Sequence, residues 1–407
     1  MAAIQIPWAA WHGDYQIELT FPASWDVTEA RMQDAPALSD TEIGERLKTP
    51  IASAPLRQLA QHRQNVVIVV EDITRPTPLY RLLPPLLAEL EAAGIPRERV
   101  RILIGSASHR PNTREDAVKK LGRKIVETVE VRNHHPYENL VSLGMSERGT
   151  PILMNRDFVE ADLKIAIGTV VPHEDAGFGG GAKVVGIGLA GVETLAVIHG
   201  RTVAEGPVGL GRLEGNFCRA DFEDIALRAG LELIINVVIN SQRDIAGVFA
   251  GHPIKAHRAA VALARHVYAT DLPREMDVAV FNAYPKDTEL MLGFNALNPG
   301  YGIGEQLVQP DGTVVVTMAA SEGYGFHSIN TRQGFAYSPE LAWGRRLIVY
   351  SPNLTQADIQ RFCPGGTLLF KEWPSLIEML EVQYPGRTRA VVLPYGTIQL
   401  GGGEHTS

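Results

Sequence analysis

A chain of 407 residues is too long for one ordinary hydrophobic core, so two domains of unequal size are expected. With 45% hydrophobic and 21% charged residues its make-up is that of a globular protein, which excludes a disordered or low-complexity chain. The net charge of -8, without any cluster of Lys and Arg, argues against nucleic acid as a partner.

In chain order, the alternation in QIELTFPASWDV reads as a β-hairpin region. A repeating strand, loop and helix pattern follows. Apolar β-branched runs at NVVIVVED (65–72), RVRILIGS (99–106), IVETVEVRN (125–133), DLKIAIGTVV (162–171) and LELIINVVIN (231–240) read as strands. The stretches at 79–94 and 112–122 between them read as helices. Strands apolar on both faces that alternate with helices predict an α/β fold, a mostly parallel sheet covered on both sides. A helix over about 253–268 leads into the polar, proline-containing joint TDLPREM. A second series then runs through MDVAVFNA (276–283), GTVVVTMAAS (312–321), RLIVYSP (346–352), GTLLFKE (366–372) and RAVVLPYG (389–396). The expected domains are 1–272 and 273–407, with the active site in a cleft between them. No apolar run is long enough to span a membrane, and the first residues lack a basic stretch followed by an apolar core. A cytoplasmic protein with no membrane partner is expected. The two cysteines, Cys218 and Cys363, lie far apart without a CxxC partner, which fits a reducing compartment and offers no thiolate metal site.

In open α/β sheets ligands bind beyond the carboxyl ends of the strands. Polar residues gather at those positions here. Asp72, Thr74 and Arg75 follow the first strand of the series, His109 and Arg110 the second, His134 the third and His173 the fourth, while Tyr284 and Lys286 follow the first strand of the second series. Arg75, held before Pro76, suits bidentate capture of a carboxylate or phosphate, although an ion pair with Asp72 would explain it equally well.

The stretch VVPHEDAGFGGGAK (170–183) is no P-loop, because Ala182 precedes and Val184 follows Lys183 where Gly-Lys-Ser/Thr is needed. Gly186 to Gly191, GIGLAG, match GxGxxG, but the preceding strand would be only three or four residues long. No acid-ended strand follows about 20 residues on, so a dinucleotide site is not supported. Gly179, Gly180 and Gly181 can still offer bare N–H groups to a phosphate. Taken singly, His173, His199 and Lys183 each have an ordinary reading: a loop histidine, a helix-end histidine and a solvated lysine. Their grouping around one glycine run makes those readings hard to hold together.

EDITRPTP, GSASHRP and VVPHEDAGFGGGAK with a following histidine resemble, in order and spacing, the nickel-pincer lactate racemase family of 2-hydroxyacid racemases and epimerases. The resemblance implies that Lys183 tethers a nickel-pincer nucleotide, that His199 is the protein ligand to nickel, and that His109 and His173 form the acid/base pair. It places Asp72, Thr74 and the three glycines near the cofactor and Arg75 on the substrate carboxylate. It also implies cofactor-biosynthesis proteins as suppliers and a small 2-hydroxy acid as substrate. Removing hydride gives a planar 2-keto acid that can be reduced on either face, and the hydroxyl proton that leaves with it calls for a base with a pKa near neutrality. A planar sulfur-carbon-sulfur-nitrogen ligand set suits nickel.

After NAYPKD the family commonly continues Asn-Leu-Tyr-Gln and then a lysine. Here TELMLGFNAL puts Met291, Leu292 and Asn295 at those places, so the pocket is less cationic and a substrate other than lactate is expected, with Tyr284, Lys286 and Asn295 as candidate contacts. Gly179 stands where the family usually has a serine. Two rival readings are a metal-dependent hydratase or lyase, which would need further carboxylate or thiolate ligands, and a non-catalytic nickel or nucleotide carrier, which would have no use for two bases.

Overall fold

The computed structural model describes residues 2–205, 209–329, 341–363 and 365–402. The chain divides into two compact units, Ala35–Val267 and a second made of Met1–Asp34 with Tyr268–Ser407. The expected division at 272/273 therefore differs at the N-terminus. The strand Asp26–Glu29 pairs in parallel with Arg389–Leu393 at the edge of the second unit's sheet, and the hairpin before it forms a two-stranded sheet of its own.

The unit Ala35–Val267 holds a six-stranded sheet in the order Ile245–Gly251, Leu233–Ile239, Leu163–Thr169, Val66–Glu71, Val100–Gly105, Glu130–Asn133. All pairings are parallel except that of the Ile245–Gly251 edge strand with Leu233–Ile239. The central strands are buried on both faces, Val66–Val70 and Leu233–Ile239 throughout, which explains their unbroken apolar runs. Two features depart from the sequence reading. The run IVETVEVRN begins as a helix, Arg123–Thr128, and only Glu130–Asn133 is strand. A further hairpin of Leu140–Met145 with Pro151–Asn155 precedes the fourth sheet strand.

Numbered along the chain, the sheet order is 3-2-1-4-5-6, the doubly wound arrangement whose winding reverses between strands 1 and 4. Ligands bind at that reversal. Glu71 joins the two strands at their carboxyl ends, where its Oε2 accepts the Thr169 N–H at 3.0 Å and the Thr77 hydroxyl.

The second unit has its own six-stranded parallel sheet, in the order Leu368–Phe370, Arg346–Tyr350, Val308–Thr317, Met276–Asn282, Arg389–Leu393, Asp26–Glu29. Side chains alternate between its faces. Val278 and Val280 pack with Trp8, Leu19 and Phe21 of the N-terminal hairpin, and Ala279 and Phe281 pack on the other face with Phe294 and Phe362.

Candidate active site

A small, partly open pocket lies at the reversal point of the Ala35–Val267 unit. Its walls come from three strand ends: Asp72 and Arg75 after the first strand, Ala107 and His109 after the second, and Gly180 and Lys183 after the fourth. The sheet thus assembles side chains far apart in sequence, as its topology predicts.

His109 and Asp72 form the core of the group. The His109 Nδ1 lies 2.8 Å from Asp72 Oδ2, with only 8% and 4% of the two side chains exposed. Thr74 locks the other carboxylate oxygen, its N–H donating to Asp72 Oδ1 at 2.8 Å and its hydroxyl to the same atom. Burial alone would raise the Asp72 carboxyl, but the adjoining imidazole, Arg75 and Thr74 hold it well below the usual carboxylate range. Burial pushes His109 below its ordinary value in spite of Asp72, so at neutral pH the ring is neutral and donates Nδ1–H to the carboxylate, with its lone pair on Nε2. Arg75 does not fork onto Asp72; its Nη1 donates to Thr74 Oγ1 at 2.8 Å, and its carbonyl accepts the ammonium of buried Lys120 at 2.6 Å.

Lys183 lies on the pocket wall at the start of the short helix Lys183–Gly186. Desolvation pushes its amine down to about 7, helped by the positive charges of Arg75 and Arg219 and opposed by Glu71 and Asp175. Lys183 is half-buried on this wall, unlike a fully solvated surface lysine. His199 lies on the helix Val192–Glu205 one turn beyond Leu195, whose carbonyl its Nδ1 meets at 2.8 Å. Its pKa is lowered by burial, and Lys183 and His109 are close enough to lower it further. The Nδ1–H donor puts the lone pair of the neutral ring on Nε2.

His173 is arranged in the opposite sense. It sits in the bridge Pro172–His173, paired with Gly177–Phe178, and its Nδ1 accepts the N–H groups of Asp175 and Ala176 at 3.2 and 3.3 Å. In the neutral ring the proton is then on Nε2.

Two of the three glycine N–H groups are turned into the protein, while Gly180 lines the pocket. Gly179 N–H donates to Val171 O at 2.7 Å and Gly181 N–H to Asn236 Oδ1 at 2.8 Å. Close packing explains the glycines better: Gly181 has φ +58°, and a Cβ there would come within 2.7 Å of His257. GIGLAG is equally a packing feature, for a Cβ on Gly188 would lie 2.1 Å from Val184 O. His134 is structural, buried between Ala190 O at 3.0 Å and Asn155 Nδ2 at 3.2 Å.

Tyr284, Lys286 and Asn295 belong to the other unit. Tyr284 is buried and its hydroxyl faces Asp14 at 3.4 Å, Lys286 is buried, and Asn295 is half-buried in the 3-10 segment Phe294–Gly300. Sequence reasoning missed Glu71, Lys120, Asn236, His257 and Arg219, which sit around or beneath the pocket group. Only Glu71 carried a signal, as the residue before Asp72 at a strand end.

Residues 12–210 match the family model described as the lactate racemase N-terminal domain. A lactate racemase from Lactiplantibacillus plantarum is 32% identical over 293 residues, 71% of this chain and 68% of that one. The chain belongs to the lactate racemase family. The family makes it an isomerase of the racemase type. A second relative, a lactate racemase from Thermoanaerobacterium thermosaccharolyticum, is 31% identical over the same shares of the two chains. The fold agrees along the whole chain: the lactate racemase apoprotein from that organism superposes with a TM-score of 0.78 at 24% identity, over 99% of this chain and 100% of that one. A Thermotoga maritima protein superposes with a TM-score of 0.67 at 18% identity, over 89% and 98%.

Proposed function

We propose that the protein racemises or epimerises a 2-hydroxy acid other than lactate, using a nickel-pincer nucleotide tethered to Lys183 and ligated through nickel by His199. The observation that carries this reading is the convergence of a near-neutral amine, an Asp72-anchored imidazole and Arg75 on one pocket. The residues fit the group. An amine brought down to about 7 is about half uncharged at neutral pH, which gives a lysine that must bond to an electrophilic carbon a large nucleophilic fraction. Among the described residues no three His, Cys, Asp or Glu side chains gather to hold a metal, so nickel at His199 would need ligands supplied by the nucleotide.

When bound, the group would supply a hydride acceptor for the substrate carbon. The chain's own residues do the rest. Arg75 holds the substrate carboxylate, its guanidinium steadied by Thr74. His109 Nε2 takes the hydroxyl proton, and Asp72 stabilises the imidazolium that results. His173 is assigned the opposite face, and to take the hydroxyl proton of the other enantiomer at Nε2 it must release the Asp175 and Ala176 N–H groups and carry its own proton on Nδ1. Asp72 and Thr74 thus act on the cofactor's surroundings through His109 and Arg75. Tyr284, Lys286 and Asn295 remain the proposed substrate contacts from the second unit. With Met291 buried and Asn295 in place of a lysine, a substrate with an apolar or polyhydroxy tail is favoured. The hydratase and carrier readings are less well supported, the first because no cluster of metal ligands is found among the described residues and the second because it leaves the Asp72–His109 pair without use.

The test is isotopic. A 2-hydroxy acid labelled with deuterium at C2 should be racemised in ordinary water by the loaded enzyme with the deuterium retained, because the same hydride returns. Loss of deuterium to solvent during racemisation would mean proton abstraction at carbon and would reject the reading.

A further inference from the structure

The loop 175–180 leading to Lys183 has every backbone carbonyl turned into the protein. Asp175 O accepts Asn216 Nδ2 at 3.0 Å, Gly177 O the Gly211 N–H at 2.9 Å and Gly179 O the His257 Nε2–H at 2.9 Å. The other three go to one side chain. Arg219, 1% exposed, donates Nε–H to Ala176 O at 3.2 Å, Nη1–H to Gly180 O at 3.2 Å and Nη2–H to Phe178 O. Among the described residues its guanidinium makes no ion pair; the nearby carboxylate Glu223 is forked onto Arg258 at 2.7 and 2.9 Å. A buried charge held only by carbonyls is an expensive arrangement for a purely structural purpose, since an apolar side chain could fill the same volume. Its geometry suits another purpose. Three donors in one plane fix three carbonyls at alternate positions, and so fix the direction in which the chain leaves Gly180.

We propose that Arg219 is a positioning residue for Lys183: by gripping the carbonyls of Ala176, Phe178 and Gly180 it sets the turn from which the Lys183 amine enters the pocket and brings a fixed positive charge close to it. This rests on the reading of Lys183 as the tether. The charged and titratable groups acting on Lys183 include Arg75, Arg219, Glu71 and Asp175, and of these Arg219 alone also holds the loop. A merely structural arginine would hold the loop without affecting how readily the amine reacts.

The test uses the full-length protein without cofactor. Wild type, Arg219→Lys and Arg219→Gln are compared by amide hydrogen exchange and by trace acylation of Lys183 across pH, read by mass spectrometry with Lys255 as internal standard. Exchange in the 175–183 peptide should quicken at least about tenfold in both variants while the strand 233–239 stays protected, because neither side chain reproduces the fork. The pH at which Lys183 is half-reactive should rise by about one unit in Arg219→Gln and stay near wild type in Arg219→Lys, which keeps the charge. Unchanged loop exchange in either folded variant, or an unchanged midpoint in folded Arg219→Gln, overturns the proposal. Should Arg219→Gln fail to fold, the plateau rate of Lys183 acylation in Arg219→Lys decides: it should change at least about threefold with the loosened loop, and an unchanged rate overturns the proposal. Absence of an adduct on Lys183 in loaded wild type would instead overturn the tether reading, and the two failures are told apart.

Discussion

Replacing Asp72 with asparagine is the sharpest single perturbation of the proposed chemistry. The side chain keeps its shape and its place beside Thr74, so the fold should survive, but the charge next to His109 is gone. As His109 takes a proton its ring becomes cationic, about 4 Å from the centre of the Asp72 carboxylate. At an effective dielectric constant of about 20 that attraction is worth about 4 kcal/mol, or close to a thousandfold in rate. An amide can also turn its N–H₂ toward the ring and select the wrong tautomer, which adds to the loss. The assay is the turnover of the loaded variant on its 2-hydroxy acid, followed by chiral chromatography, with urea unfolding as the check on folding. Turnover should fall about a thousandfold. Asp72 also raises the His109 pKa against the larger effect of burial, so the acid limb of the kcat/KM profile, already below 6.5 in the wild type, should move to still lower pH. A folded Asp72→Asn protein within tenfold of wild-type turnover, with its acid limb unmoved, would refute the assigned pairing.

Four further outcomes follow from the same geometry. Acylation of Lys183 in the cofactor-free protein should be half-maximal near pH 7, where an ordinary lysine would need about 10.4; a midpoint above 9 contradicts the buried, charge-opposed amine. His199→Ala should leave the adduct on Lys183 but lower nickel, read by metal analysis, to below about a tenth of the wild-type content. Gly181→Ala forces a positive φ on alanine and drives its Cβ into His257, so urea unfolding should show a loss of about 2–5 kcal/mol. Stability from the depressed Asp72 pKa is complete above its unfolded value near 3.8 and is lost as pH falls through the lower folded value. Asp72→Asn should therefore flatten the acid side of the stability profile, measured by urea titrations below pH 5.

Much of the fold was legible because the central strands are buried on both faces. NVVIVVED, DLKIAIGTVV and LELIINVVIN had to be apolar throughout, and each is a strand within a residue or two of the run read from the sequence. IVETVEVRN was misread in part because its apolar spacing satisfies a short helix as well as a strand, and Glu130–Asn133 is an edge strand with little burial. Nothing local shows that Asp26–Glu29 pairs with Arg389–Leu393, since parallel neighbours need no nearby turn. At the site, Asp72, Arg75, His109 and Lys183 were readable because strand ends in such sheets point polar residues at ligands. Arg219 and His257 lie within helices, and Asn236 within a strand. A polar residue inside an otherwise apolar or amphipathic element looks the same whether it faces solvent or grips a buried loop.

Intact-mass and metal analysis of the protein purified from a host that makes the nickel-pincer nucleotide bears on the Lys183 tether without any assay of turnover. The expected result is a nucleotide adduct mapped to Lys183 with about one nickel per chain. An unmodified Lys183 in protein devoid of nickel would contradict it.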